Sequence, residues 1–222
     1  FGLKVGRWFP MGTGHWPDLS GYDVVIVRHS SGTPLMSAFL ANNDTHTAIH
    51  ADTLAVWRWN EPQVFGVREV PLGRKYGTTE VRAWMQASFV DYENHYAANP
   101  IFDRTAALAG YAEWAEGIFD LDPESLVTVG VGAEVRGFAL VDWTAEIPNI
   151  RLNAVLPEAR GQGWFSKLIT ETMHQAKTHG YHSLESSTQV QNVAVQRTWA
   201  ALGWRPEAPL DTSHLVRNEL FR

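Results

Sequence analysis

Hydrophobic and polar positions change period several times along the chain, and each change predicts an element. Residues 23–27 (DVVIV) form a short apolar run that reads as a buried strand. Residues 34–41 read as a short helix, and 52–59, where apolar and polar side chains alternate, as a strand with one wet face. Pro62 closes this stretch, and VFGVREV from Val64 reads as a new strand. These signals place a boundary near 61–63, dividing a small α/β domain over residues 1–62 from a larger one over 63–222.

The larger part opens with a predicted helix over 79–97, where Val81, Met85, Phe89 and Tyr92 recur at helical spacing before Pro100. A second helix over 104–117 carries Leu108, Tyr111, Trp114 and Ala115 on one face. Strands over 126–131 and 135–143, joined by the short polar turn 132–134, predict a hairpin. A strand over 150–156 runs into Pro157 and the loop 158–163. An amphipathic helix follows, with Phe165, Leu168, Ile169, Thr172, Met173 and Ala176 on one side, ending near 179–180. Then come a strand over 181–188, a helix over 192–202 stopped by Gly203, and a last strand over 212–216.

Composition narrows what such a chain can do. With 222 residues, 45% of them hydrophobic, it can bury a core without staples, and the absence of cysteine excludes disulfides, thiolate metal ligands and a thiol nucleophile. That absence fits a reducing compartment, so a cytoplasmic protein is the expectation. No apolar run approaches the roughly 20 residues that a membrane span needs. The net charge of −6 disfavours nucleic acid and requires any phosphate to be held by a local cluster. His174, His179 and His182 do not have the spacing of a dedicated zinc site, and no metal is expected.

The stretch NAVLPEARGQGWFSKLI, residues 153–169, turns from strand to helix through Arg160, Gly161, Gln162 and Gly163. Glycines allow close backbone approach, and the free N–H groups and dipole of a helix start favour an anion. The dipole contributes roughly 0.3–1 kcal/mol, and Arg160 adds a charged donor. A plain strand-to-helix turn uses the same residues.

This loop resembles motif A of the GNAT acyltransferases, R/Q-x-x-G-x-G/A, with Arg160, Gly163 and Phe165 at its defining places. STQVQNVAVQRTWAALGW, residues 187–204, resembles the family's second element, N-x-x-A-x-x-x-Y-x-x-x-G-F, with Asn192 at the asparagine and Trp199 at the tyrosine. The resemblance implies a mixed, mostly antiparallel sheet with a splayed parallel strand pair and flanking helices. It implies acetyl-CoA or another acyl-CoA as co-substrate and a small-molecule amine as acceptor. The residues it assigns to acyl-CoA are Ala154, Val155, Leu156, Arg160, Gly161, Gln162, Gly163, Trp164, Phe165, Asn192 and Trp199. A backbone N–H near 154–156 would polarise the thioester carbonyl, an interaction worth about 2.7–4 kcal/mol where single donors of this kind have been removed.

An indole is no acid near neutral pH, so Trp199 cannot supply the proton that the family tyrosine gives to the leaving thiolate. Candidates for a base at the amine are His214, His95 and Glu185. A closer resemblance, over FVDYENHYAANPIF, GYAEWAEGI, DTSHLV and the strands FGLKVGR, YDVVIVR and HADTLAVWRW, is to N-acyltransferases of TDP-amino-deoxysugars. Other readings are a catalytically weak acyl-CoA-binding sensor and a transferase fed by a carrier protein or aminoacyl-tRNA. Edge strands in this fold pair across subunits, which makes a homodimer an expectation.

Overall fold

A computed structural model of the chain describes residues 2–9, 18–41, 43–60, 76–92 and 94–221. The predicted boundary at 61–63 and the strand VFGVREV lie outside the described residues. By contacts the chain forms two compact units: Phe1–Ala55 with Glu93–Ala107 and Ala208–Arg222, and Val56–Tyr92 with Leu108–Glu207. The first is called unit 1 and the second unit 2.

Unit 1 contains strands β1 (Val5–Trp8) and β2 (Val24–Ser30), helix α1 (Leu35–Leu40) and the first ten residues of β3 (His46–Asn60). It also contains the last strand, which reaches it from the far end of the sequence. Numbered in chain order that strand is β9 (Leu210–Arg217); it runs antiparallel to β2 on one side and to β3 on the other, and β1 is parallel to β2. The apolar run of β2 explains its place in the middle: Val25 and Val27 pack with Leu215, Leu19 and Phe39, and each buried large aliphatic side chain contributes roughly 1.5–3 kcal/mol.

Unit 2 holds the end of β3, helices α2 (Thr78–Phe89) and most of α3 (Arg104–Leu121), and strands β4 (Leu126–Val131), β5 (Glu134–Asp142) and β6 (Asn149–Val155). Helix α4 (Trp164–Thr178), strand β7 (Ser183–Gln189), helix α5 (Val193–Ala201) and the two-residue β8 (Arg205–Pro206) complete it. Its strands run in the order β3, β7, β6, β5, β4. β4, β5 and β6 form an antiparallel meander, and β6 and β7 are parallel, so the sheet mixes both orientations. One core lies under α4 and α5, around Trp59, Val141, Leu168, Ile169, Leu184 and Trp199; another lies under α2 and α3, around Met85, Ala115, Phe119 and Phe138.

α2 is shorter than its apolar spacing predicts. It stops at Phe89, and Tyr92, the last residue of the expected stripe, follows it in a turn whose N–H donates to the Phe89 carbonyl. Beyond it the asparagines take the backbone over. Asn94 Oδ1 accepts the Tyr96 N–H at 2.9 Å and Asn99 Oδ1 accepts that of Ile101 at 3.1 Å, local bonds that compete with helix propagation. α3 is longer than 104–117: it runs to Leu121, and Asp122 then caps the 3-10 turn Pro123–Ser125.

Candidate functional site

β6 and β7 pair only at Asn149 with Glu185 and Ile150 with Ser186, and beyond those residues the two strands part. Residues 151–155, about 16 Å of strand at the usual rise, therefore run along an open slot. On the other side β6 remains bonded to β5. Leu156 donates its N–H to the Arg136 carbonyl at 2.9 Å, and since alternate residues of an antiparallel ladder bond to the same neighbour, Val155 turns its N–H and C=O toward the slot. Of the three backbone donors expected at 154–156, Leu156 is thus already engaged, and Val155 is the one that faces the opening.

The slot leads to a turn that only glycine accommodates easily. Gly161 has φ +73° and Gly163 has φ +78°, and a Cβ at either would meet open space. Gly163 is the N-cap of α4 and offers no side-chain cap, leaving the first-turn N–H groups to an outside acceptor. Gln162 braces the loop by donating from Nε2 to the Glu158 carbonyl at 2.9 Å. Trp164 and Phe165 point their rings inward, Trp164 within the core and Phe165 packed against it, so only their backbone faces the turn. Since the strain of a side chain here comes from the backbone alone, Gly163→Ala is expected to cost about 1–2 kcal/mol, measurable as a lowered urea midpoint with an unchanged slope.

Arg160 is exposed, yet its guanidinium is directed by two carbonyls: Nη2 donates to Ser88 O at 2.9 Å and Nε to Val155 O at 3.4 Å. It ties the end of α2 to the rim of the slot. Asn192 stands at the N-cap of α5 and donates from Nδ2 to Thr188 Oγ1 at 3.0 Å, fixing the start of that helix to β7.

Trp199, on α5, is part of the core of unit 2. It has no exposed surface, and its ring stacks on Trp204 at 5.7 Å and tilts against Trp57 at 6.2 Å. It packs in the core, and its buried Nε1 has no hydrogen-bond partner among the described residues.

Two of the three acid–base candidates meet within one unit. Glu185, in unit 2, accepts from Arg58 Nη2 at 2.9 Å and from Asn149 Nδ2 at 3.3 Å, so both carboxylate oxygens are occupied at the point where the strands part. His95 and His214 meet in unit 1. His95 Nδ1 lies 2.9 Å from His214 Nε2, and Asn99 Nδ2 lies 3.1 Å from His214 Nδ1. Because Asn99 Oδ1 is the acceptor for Ile101, its amide nitrogen faces His214. That assignment makes His214 Nδ1 the acceptor and its Nε2–H the donor to His95. Burial lowers His95 to about 2, with the charges of His214, Arg28 and Arg7 adding to it; burial and then Arg28 lower His214 to about 4. Both rings are neutral at neutral pH and are weak proton acceptors. The Asn99 contact to His214 gave no sequence signal, because the two are 115 residues apart.

Among the described residues no group of three or more His, Asp or Glu side chains is placed to hold a metal ion. No helix among them is long and apolar enough to cross a membrane.

Residues 78–204 match the acetyltransferase (GNAT) family. The chain is similar in structure to a GCN5-related N-acetyltransferase from Sphaerobacter thermophilus, with 16% identity, 87% of this chain and 61% of that one covered, and a TM-score of 0.57. A GNAT-family acetyltransferase from Novosphingobium aromaticivorans gives 15% identity, coverage of 88% and 75%, and a TM-score of 0.57. A tandem GNAT protein from the clavulanic acid biosynthesis pathway gives 17%, coverage of 87% and 64%, and 0.52. The chain thus spans less than two thirds of the length of the Sphaerobacter protein and of the tandem protein. No curated protein matches the sequence significantly.

Proposed function

Because the chain belongs to the acetyltransferase (GNAT) family, we propose that it is an N-acyltransferase moving an acetyl or other short acyl group from acyl-CoA to a primary amine. The observation that carries this reading is the parting of β6 from β7 beyond Ile150 and Ser186, at the head of the Gly161–Gln162–Gly163 turn into α4. An acyl thioester brings an electrophilic carbonyl and a thiolate leaving group. Gly161, Gln162, Gly163 and the backbone N–H groups of Trp164 and Phe165 receive the pyrophosphate, and Arg160 adds positive charge at their edge. Ala154 and Val155 guide the pantetheine arm, and the Val155 N–H polarises the thioester carbonyl. Asn192 borders the arm from the β7 side.

The amine nitrogen attacks directly: a C–N bond forms, the C–S bond breaks, and the proton lost from nitrogen passes to water. Holding both reactants in the slot supplies much of the rate. Glu185, occupied by Arg58 and Asn149, keeps the foot of the slot closed and is a positioning residue. The acceptor class we infer is a nucleotide-linked amino-deoxysugar or a related natural-product amine, supported by the sequence resemblance over residues 84–118 and 211–216. A second reading, an acyl-CoA-binding sensor with little turnover, is favoured by the burial of Trp199 where a phenolic acid would otherwise stand.

The test is thiol release by purified protein with acetyl-CoA and longer acyl-CoAs against a panel of amines that includes TDP-amino-deoxysugars. Amine-dependent release is the expected result, and CoA binding without release for any amine moves the assignment to the sensor. Arg160→Glu is expected to weaken CoA binding at least about tenfold, since it replaces a cation by an anion beside the phosphates, which titration calorimetry reads directly.

A further inference from the structure

α2 ends without the residues that usually satisfy a helix C-terminus. Its last turn holds no basic side chain, and its C-cap, Val90, is in the right-handed region where a left-handed glycine is the common solution. The last carbonyls of a helix have no partner within it. Tyr92 donates its N–H to Phe89 O at 3.1 Å, and Arg160 donates from Nη2 to Ser88 O at 2.9 Å. Arg160, 72 residues away in sequence, is thus the cation that α2 itself lacks at the negative end of its dipole.

One edge of the guanidinium makes both of its contacts. Nε and Nη2 are neighbouring donors, the pair that can hold two oxygens of one phosphate in a bidentate contact. Here Nη2 goes to Ser88 O, and Nε goes at 3.4 Å to Val155 O, the carbonyl that faces the slot. Both acceptors are neutral carbonyls, whereas a phosphate brings a full opposite charge and two oxygens at matching spacing. An anion on the turn 161–163 therefore competes for this edge, and the edge cannot serve both. The helix end held by Arg160 is also readily loosened: Val90 is 64% exposed, and the Ser88 hydroxyl is buried with no hydrogen-bond partner among the described residues, a cost that movement of the helix end relieves.

The geometry points to a two-position switch: Arg160 holds the end of α2 until a phosphate reaches the turn, then exchanges the Ser88 and Val155 carbonyls for that phosphate. The exchange releases residues 86–92 and leaves the Val155 carbonyl to the pantetheine arm. Binding at the turn and order at the end of α2 are thereby coupled, and the coupling is reciprocal, since a held α2 end opposes the ligand as much as the ligand loosens the end. The switch rests on the acyl-CoA reading of the turn and adds a regulated element to it.

Hydrogen exchange of the whole chain, read by mass spectrometry on peptides covering 86–92 and 161–166, tests the switch with CoA, inorganic pyrophosphate and pantetheine as probes at matched ionic strength. CoA and pyrophosphate are expected to slow exchange at 161–166 and to raise it at 86–92 at least about threefold. Pantetheine, which has the arm and no phosphate, is expected to leave 86–92 unchanged. Arg160→Gln is expected to exchange fast at 86–92 without any ligand and to show no further rise with CoA, a thermal melt verifying that it is folded. Protection of 161–166 by CoA with unchanged or slower exchange at 86–92 would overturn the switch and leave the acyl-CoA reading standing. So would loosening by pantetheine, or wild-type exchange at 86–92 in folded Arg160→Gln. Loosening by pyrophosphate with no protection by CoA would refute the acyl-CoA reading and keep the switch, and no effect of either phosphate probe would overturn both.

Discussion

Lowering the pH from about 7 to about 5 is expected to remove about 4 kcal/mol of unfolding free energy through His95 and His214 alone. Unfolded, each imidazole titrates near 6.5; folded, His95 is lowered to about 2 and His214 to about 4. Between those values the unfolded chain binds more protons than the native one, so the stabilisation is complete above the unfolded pKa and is lost as the pH falls below it, at up to about 1.4 kcal/mol per pH unit per histidine. His46, lowered by burial and by Arg217, acts in the same direction. Glu171, raised by burial, acts in the opposite one, because its strain is relieved once it protonates. Since whole domains are stable by only about 5–15 kcal/mol, the loss is large. Urea unfolding at a series of pH values measures it, and His95→Phe is expected to remove about half of the slope contributed by the pair. A flat profile from 7 to 5 would show that the two rings are charged or solvated in the native state.

Trp199→Ala is expected to cost about 3–5 kcal/mol, the range for emptying a fully buried aromatic position. The ring lies against both Trp57 and Trp204 with no exposed surface, so its removal empties core volume and takes both ring contacts with it. Trp199→Phe is the discriminating variant. It keeps most of the packing and removes an indole N–H that is buried without a partner among the described residues, a group that costs about 1–3 kcal/mol to leave unsatisfied. Affinity for CoA is expected to stay within about twofold in that variant. A large change in affinity would return Trp199 to the ligand.

The elements that were legible in the sequence are those whose signal is local. The stripe from Phe165 to Ala176 and the turn 132–134 between two apolar runs are complete within a dozen residues, and α4 and the β4–β5 hairpin appear there. The glycine turn was legible for the same reason, since positive φ at Gly161 and Gly163 is a demand that glycine meets. The end of α2 was not: the apolar stripe continues to Tyr92, whereas the helix stops at Phe89, and farther on the Asn94 and Asn99 side chains bond to the backbone in place of a helical ladder. The direction of Arg160 toward Ser88, the burial of Trp199 and the meeting of His95 with His214 depend on segments remote in sequence. Periodicity assigns a side chain to a face, and only the fold decides what covers that face.

The place of β9 sets an order of events during synthesis. β2 is complete by Ser30, but the strand that separates it from β3 begins at Leu210. At about 5–20 residues per second, a ribosome needs on the order of ten to forty seconds to deliver the missing neighbour. Throughout that interval the apolar run 24–27 has no β9 to bond with, and it matches the kind of short, β-rich, uncharged segment that pairs readily with other chains. A message cut short before the codon for Leu210 would release a chain in which that edge of β2 never meets its partner.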